Sequence, residues 1–490
     1  MRLSSDTLVQ LSGGGPTGRT ANTVSETYAR RVYPLNAHAL TEEQIAVAFA
    51  MTSRRPESFD EIAGQVSQEK AAGFHERWVL GYGHASVAEH AVVHLAVENI
   101  SRLAADTLED NRLASYTEKS SRYQVLPPDG YHVPQELAAH PALDRVYRAA
   151  CQRLFQAYQR CLEGCQEHLR GITPQEAGER ETAYRLRLRR VATDSCRAVL
   201  PAATLTNVGV TANARVLEHA ITKLLSSELL EEQELGQELK REALRITPTL
   251  IKYAEPNAYL RYVAQQQSEM AGDFAGETEA AAPQPSGGQV RLVHWDVQAE
   301  AKVATALLYR GSHLSYGQLW DRVQAMSGSE RQDIIGRCLS QLGPHDAPVR
   351  ELELVDYTFE FVLDYGAYRE FKRHRMQTYL AQPLTVAHGY YTPALLLSSG
   401  MQGEFAPALE LAEAAFMQVG EFSPAVAQYL VTHAHYRRVL SKLNLRECYH
   451  LFKLRVSPQA HESIRAPMLQ ALELARQTHP GLFQHLHLRS

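Results

Sequence analysis

Residues 81–102 read GYGHASVAEHAVVHLAVENISR, a polar turn followed by a run of alternating character. Val93, Leu95 and Val97 alternate with other residues, which is the period of a β-strand with one buried face. The turn before the strand carries four residues of chemical interest: His84, Ser86, Glu89 and His90. Ser86 and Glu89 are three residues apart, so a purely structural capping box remains an alternative for this turn.

The same pattern returns at residues 342–364, LGPHDAPVRELELVDYTFEFVLD. Another turn leads into another alternating run, here with Tyr357, Phe359 and Phe361 on one face. Both runs precede a predicted helix that ends near an arginine, and an Asn-x-Arg element comes late in each half. These landmarks are Arg112 with Asn213-Ala214-Arg215, and Arg375 with Asn444-Leu445-Arg446. The shared order indicates a diverged tandem duplication.

Residues 264–289, AQQQSEMAGDFAGETEAAAPQPSGGQ, separate the two halves. Their low apolar content is typical of a flexible linker. Residues 142–168, by contrast, place apolar residues three and four apart, which predicts an amphipathic helix. We therefore predict an α+β fold of two tandem modules, residues 1–263 and 290–490, each with helices packed on a small, mainly antiparallel sheet.

Composition restricts the class of protein. The formal net charge is −5, which argues against non-specific nucleic-acid binding. There is no apolar run long enough to span a membrane and no secretory signal at the N-terminus. The six cysteines are scattered, as expected for free thiols in a reducing compartment. We expect a cytoplasmic protein with neither nucleic acid nor membrane as partner.

Three arginine-bearing stretches are candidates for binding an anion. RLASYTEKSSRY at 112–123 combines arginines with hydroxyls, which suits a phosphate. KRHR at 372–375 has one acid nearby, so an external anion is the natural partner. Arg197 and Arg455 lie among apolar neighbours and need counter-charges if buried. The alternatives are a solvated polar loop, a solvated basic face and structural ion pairs, respectively.

Together these motifs resemble the flavin-dependent thymidylate synthases (ThyX). That family carries a G-H-x-S-x-x-E-H turn and the motif R-H-R-x-x-S-x-N-E-x-S-x-R-Y. The first half keeps the turn intact at 83–90 and the rear of the long motif at 115–123, but Asp110 and Asn111 replace its first Arg and His. The second half keeps Arg373-His374-Arg375 and loses the rear of the motif.

The resemblance implies a division of labour between the halves. The residues that would hold the phosphate and sugar of dUMP are Ser115, Glu118, Ser120, Arg122 and Arg197. Arg455 would help place the uracil and stabilise charge that develops on its ring, which makes it the implied catalytic residue. The residues that would contact the flavin are His84, Ser86, Glu89, Arg112, Asn213, Arg373, His374, Arg375 and Asn444. No metal site is predicted.

By the same resemblance the protein converts dUMP to dTMP, using FAD as cofactor and NADPH and methylenetetrahydrofolate as co-substrates. The family forms its sites between subunits of a homotetramer, so a homodimer of this chain would be a pseudo-tetramer of modules. Glu370 stands where the family has Gln, and Thr117 and Leu380 each replace an Asn. Two alternatives therefore remain: a flavoenzyme acting on another pyrimidine nucleotide, and a non-catalytic nucleotide-binding protein.

Overall fold

Two small antiparallel sheets, one in each half of the chain, organise the computed structural model, which describes residues 31, 33, 35, 39–275 and 289–489. The first sheet has the order β1-β3-β2 and the second the order β4-β5-β7-β6. The strands are β1 (Val92–Ser101), β2 (Ser115–Glu118), β3 (Leu205–Asn213), β4 (Val290–Trp295), β5 (Asp356–Asp364), β6 (Thr378–Ala381) and β7 (Tyr436–Asn444). This confirms the predicted α+β fold of two modules.

Helices form most of the rest of the described chain. In the first module they are α1 (Glu42–Thr52), α2 (Phe59–Gln65), α3 (Gln68–Phe74), α4 (Arg102–Leu108), α5 (Pro141–Ile172), α6 (Glu181–Cys196), α7 (Ala214–Leu225), α8 (Leu230–Leu244) and α9 (Ala258–Ala275). In the second they are α10 (Ala299–Tyr309), α11 (Tyr316–Ala325), α12 (Gly328–Leu339), α13 (Tyr365–Phe371), α14 (Ala394–Ser398), α15 (Gln402–Phe422), α16 (Pro424–Ala427), α17 (Leu445–Arg455), α18 (Glu462–Thr478) and α19 (Pro480–Phe483). A π-helical segment spans His75–Gly81, and 3-10 turns span Ala85–His90, Gln135–Leu137, Arg197–Val199, Arg350–Leu354 and Gln428–Leu430.

The alternation in the sequence predicted the long strands correctly. Val93 and Val97 are buried in β1, and Tyr357, Phe359 and Phe361 are fully buried in β5. β1 contains a bulge between Val97 and Ile100, where Asn99 adopts a positive φ of 59°. Such an irregularity bends a strand without changing which face is buried on either side of it.

Each long strand runs directly into a helix through a side-chain cap. Ser101 caps α4 by accepting a hydrogen bond from the Ala104 amide at 2.9 Å, and Asp364 caps α13 by accepting from the Ala367 amide at 2.9 Å. Asn213 and Asn444 do the same for α7 and α17, with bonds of 3.0 and 2.8 Å. Caps of this kind satisfy amides that the first helical turn leaves without a partner.

The two modules pair through equivalent elements and share one core. α5 packs against α15, its counterpart in the second module. Residues 198–203 run antiparallel to 429–434, with backbone bonds such as Ala202 N to Val431 O at 2.8 Å and His433 N to Leu200 O at 2.9 Å. One buried apolar cluster includes side chains from both modules. The junction is therefore a packed interface related by approximate two-fold symmetry.

One local expectation was wrong. The predicted linker begins inside α9, which is helical through residue 275, while residues 276–288 lie outside the described part of the chain. The helix predicted to end near Arg375 is α13, which ends at Phe371, so Arg373 and Arg375 lie on the turn that follows it. Among the described helices, none combines the length and apolar composition that a bilayer crossing requires.

Candidate active site

Three of the arginines expected to bind substrate meet at the junction of the modules, around the carboxylate of Glu370. Arg197 Nη2 lies 3.2 Å from Glu370 Oε1, and Arg455 Nη1 lies 3.1 Å from Oε2. Arg122 Nη1 lies 3.7 Å from Oε1. Burial alone would raise the pKa of Glu370, but Arg197, Arg122 and Arg455 outweigh burial and hold this pKa below its usual value. The cluster draws on both modules.

A second carboxylate, Asp194, completes this cluster. Arg122 donates two hydrogen bonds to Asp194, from Nε to Oδ1 at 2.8 Å and from Nη2 to Oδ2 at 2.7 Å. Arg197 Nε lies 3.2 Å from Asp194 Oδ1. Burial opposes ionisation of Asp194, yet Arg197 and Arg122 lower its pKa. Sequence reasoning missed this residue. Its only local signal is its place three residues before Arg197, on the helix that leads into that arginine.

A neighbouring cavity of about 470 Å³ is lined by residues of both modules. Its walls are Glu109, Ser115, Tyr116, Thr117, Glu118, Lys372, Arg373 and Arg375. Arg373 lies 4.0 Å from Glu118, and no described acid lies within ion-pair distance of Arg375. Beside this cavity, Arg112 Nη2 donates to Thr378 Oγ1 at 2.9 Å across the module boundary. The structure thus brings Ser115 and Glu118 together with the Arg-His-Arg segment.

Glu118 has the least exposed side chain of the charged residues predicted to bind substrate. Its Oε1 accepts from Arg102 Nη1 at 2.9 Å, and its Oε2 contacts Arg369 of the second module. Burial would raise the pKa of Glu118, but Arg369 and Arg102 hold it at about 2. Ser120 lies close by, where its hydroxyl accepts from the backbone amide of Arg122 at 3.2 Å.

His374 connects the Arg-His-Arg segment to the arginine cluster. Its Nε2 accepts from Arg455 Nε at 3.0 Å, and its Nδ1 lies 3.1 Å from Glu447 Oε1. Burial lowers the pKa of His374, so the ring is neutral, with Nδ1 as the donor to Glu447. His374, Glu447 and His450 are near enough to one another for a metal site, but both nitrogens of His374 are already engaged. We read this trio as a hydrogen-bonded support for Arg455.

The 83–90 turn does not join this cluster within the chain. His84, Ser86 and Glu89 are exposed, and Glu89 pairs with Arg215 at 2.6 Å. Arg215, together with Ala85 and Ala88 of this turn, lines a separate cavity of about 530 Å³ in the first module. Asn444 lines the corresponding cavity of the second module, about 570 Å³ in volume. Asn213 and Asn444 each cap a helix, a structural task that the sequence reading did not assign to them.

Fold and site define a two-module α+β protein with a cluster of cationic side chains between its modules. The family model described as "Thymidylate synthase complementing protein" (Thy1) matches residues 35–249 and 292–481. The chain therefore belongs to this family, the ThyX family that its motifs resemble, and both modules match the model.

Relatives of two kinds accompany this match. The UPF0159 protein of Chlamydia muridarum is 32% identical over 428 residues, covering 84% of this chain and 80% of the relative. The UPF0159 protein Ta1429 of Thermoplasma acidophilum is 28% identical over 450 residues, covering 85% of this chain and 88% of the relative. The flavin-dependent thymidylate synthase of Clostridium tetani is 26% identical over 218 residues, covering 44% of this chain and 83% of the relative.

Among solved structures, ThyX from Helicobacter pylori, complexed with FAD and dUMP, matches at a TM-score of 0.30 and 18% identity. The match covers 41% of this chain and all of the Helicobacter chain.

Proposed function

We propose that this protein is an FAD-dependent thymidylate synthase that converts dUMP to dTMP, with methylenetetrahydrofolate as one-carbon donor and NADPH as reductant. Membership of the Thy1 family and relatives named flavin-dependent thymidylate synthase support this proposal. The observation that carries it is the convergence of Arg122, Arg197 and Arg455 from two modules on one point. Planar guanidinium groups aimed at one point suit the oxygens of a phosphate.

In this proposal Ser115, Glu118, Ser120, Arg122 and Arg197 belong to the nucleotide side of the site. Arg122 and Arg197 bind the phosphate, with Ser120 beside them at the turn. Arg455 is the catalytic residue, because its fixed positive charge stabilises negative charge that develops on the pyrimidine ring. His374 and Glu370 hold the Arg455 guanidinium by three hydrogen bonds of 2.9–3.1 Å, so it is oriented before substrate arrives.

The residues around the 470 Å³ cavity fit part of an FAD molecule. Arg373 is 58% exposed at the cavity, and Arg375 has no described acidic partner, so both guanidiniums are available to the diphosphate. Ser115 and Thr117 add hydroxyls to the same wall. Bound FAD would supply the hydride chemistry, while Arg112, Arg373 and Arg375 of the chain bind and orient it and the buried His374 holds Arg455 in place.

Assembly is part of the proposal. His84, Ser86 and Glu89 lie exposed on a turn away from the cluster, where the flavin of a second chain could reach them. We therefore propose a homodimer, equivalent to a pseudo-tetramer of modules, that arose by tandem duplication and works in the cytoplasm. The repeated order of strands, caps and helices supports the duplication.

One observation favours a second candidate, a flavoenzyme acting on another pyrimidine nucleotide. The ionised carboxylate of Glu370 can only accept hydrogen bonds, whereas an amide at this position would both donate and accept. A base with an amino group facing Glu370 would satisfy that acceptor better than a base with a carbonyl there.

Genetic complementation tests the proposal directly. In a thymidine-requiring host that lacks every thymidylate synthase, the wild-type gene should restore growth without thymidine, and the purified protein should show a flavin absorption spectrum. Arg455→Ala should abolish rescue, whereas Arg337→Ala, at a side chain that is 80% exposed, should not. A soluble, yellow wild-type protein that gives no rescue would contradict thymidylate synthesis and favour the second candidate.

A further inference from the structure

The arginine cluster contains its own anions. Arg122, Arg197 and Arg455 contribute three positive charges, and Asp194 and Glu370 contribute two negative charges. His461 lies 3.8 Å from Asp194. Burial lowers the pKa of His461, so this ring adds no charge near neutral pH. With both carboxylates in place, the cluster has a net charge of about +1, which is too small to neutralise the two negative charges of a phosphate dianion.

The two carboxylates, Asp194 and Glu370, have different structural roles. Asp194 belongs to the same module as Arg122 and Arg197, and its bidentate bond to Arg122 fixes the direction of that guanidinium. Glu370 enters from the second module and takes contacts from Arg122, Arg197 and Arg455 at 3.7, 3.2 and 3.1 Å. Glu370 is thus at the point of convergence, where Arg122 and Arg197 would otherwise meet the oxygens of an incoming anion.

We propose that Glu370 is an internal counter-anion, which occupies the place of the ligand's phosphate on Arg122 and Arg197 and leaves these two arginines when that phosphate binds. Binding is then an exchange of one anion for another on Arg122 and Arg197, while Arg455 remains with the pyrimidine ring. That the phosphate belongs to a nucleotide rests on the proposed function; the exchange itself requires no turnover.

Two consequences follow from this exchange. A phosphate dianion added beside an ionised Glu370 would bring the cluster to about −1, so like-charge repulsion opposes simultaneous occupancy. Competition with Glu370 therefore weakens phosphate binding. A neutral nucleoside has no phosphate to replace Glu370 on the arginines, so the cluster adds nothing to its binding affinity. Glu370 also keeps the three guanidiniums gathered when no ligand is present, since without it they would repel one another.

Isothermal titration with inorganic phosphate tests the exchange, at a pH where phosphate is dianionic. Glu370→Gln keeps the shape of the side chain and removes its charge, so phosphate should bind about tenfold more tightly or better. Glu404→Gln is the matched control. Glu404 also bridges two arginines, Arg153 at 3.2 Å and Arg160 at 3.1 Å, but on the outer contact between α15 and α5. This variant should bind phosphate as wild type does, whereas equal or weaker binding by a folded Glu370→Gln protein would overturn the proposal.

A second measurement uses the wild-type protein alone, in case Glu370→Gln does not fold. In a crystal grown with inorganic phosphate, the anion should contact Arg122 and Arg197, with the Glu370 carboxylate turned away from both. Phosphate bound elsewhere, or Glu370 still in contact with both arginines, would overturn the exchange. Neither readout depends on catalysis, so failure of complementation with phosphate exchange intact would remove only the proposed function.

Discussion

Glu118 is a buried carboxylate held between two buried arginines, one from each module. Its side chain is 4% exposed, and the side chains of Arg102 and Arg369 are 2% and 9% exposed. Removing three charged side chains from water costs free energy on folding. The ion pairs offset this desolvation cost only while all three partners are present. The pKa of Glu118, about 2, records how strongly the two arginines favour its ionised form.

Removing that charge should destabilise the protein in a pH-dependent way. Glu118→Gln leaves two buried guanidiniums without a counter-charge, which should lower the free energy of unfolding at pH 7 by about 3–5 kcal/mol. A carboxyl in the unfolded chain titrates near 4.3, so the stabilisation by Glu118 is complete above that pH and is lost as the pH falls towards 2. Urea unfolding followed by circular dichroism should therefore show the gap between wild type and variant narrowing below about pH 4.

The partly exposed Glu404 is again the control. Glu404→Gln should change the free energy of unfolding by no more than about 1 kcal/mol, because exposed ion pairs contribute little. A Glu118→Gln protein as stable as wild type at pH 7 would show that the triad is not needed to hold the modules together.

At the scale of elements, the strand-to-helix caps recur at equivalent places but with different chemistry. Ser101 and Asp364 cap α4 and α13, which both lie at the junction. Asp364 is buried, and burial raises its pKa to about 6 despite its bond from the Ala367 amide. The second module therefore uses an acid that resists ionisation where the first uses a neutral hydroxyl.

Asp364→Asn should distinguish the contribution of the capping hydrogen bond to stability from the contribution of the negative charge. Because the pKa of the folded state lies above that of the unfolded chain, the stabilisation from this group is present below about pH 4 and is lost as the pH rises through 6. Asparagine keeps the capping oxygen and carries no charge, so the variant should be more stable than wild type at pH 8, by about 1–3 kcal/mol. Thermal unfolding at pH 4 and pH 8 would measure this.

Asp364→Ala removes the cap as well as the charge, and should be about 1 kcal/mol less stable than Asp364→Asn at both pH values. If Asp364→Asn is less stable than wild type at pH 8, the ionised carboxylate contributes more to the cap than its burial costs.

The same scale shows what could be read from the sequence. Strands β1 and β5 were predictable, because one-sided burial imposes a period of two on the chain itself. The role of Asp194 was not predictable, because it depends on arginines that contact Asp194 only after folding. α9 was missed because low apolar content was read as disorder, although its alanine, glutamine, glutamate and methionine residues favour a helix. Patterns in the sequence predict individual strands and helices, whereas the arginine cluster forms only when the two modules pack together.

For the whole molecule, the junction within one chain is the organising feature. Pairing of α5 with α15, and of residues 198–203 with 429–434, joins the two modules within one chain. Arg122 and Arg197 come from the first module and Arg455 from the second, yet all three meet without a second copy. We therefore propose that the nucleotide side of the site is complete within each chain.

Mixing two inactive variants should tell whether that completeness holds in solution. Arg122→Ala and Arg455→Ala should each lose thymidylate synthase activity by about 10²–10³-fold, because each removes a donor from the same cluster. Dimers that contain one copy of each variant should remain inactive, since every cluster in them lacks one arginine. Co-expression with two different affinity tags, followed by sequential purification and assay, isolates such mixed dimers. Recovery of about a quarter or more of the wild-type activity would show instead that Arg122 of one chain serves Arg455 of another, with the modules exchanged between chains.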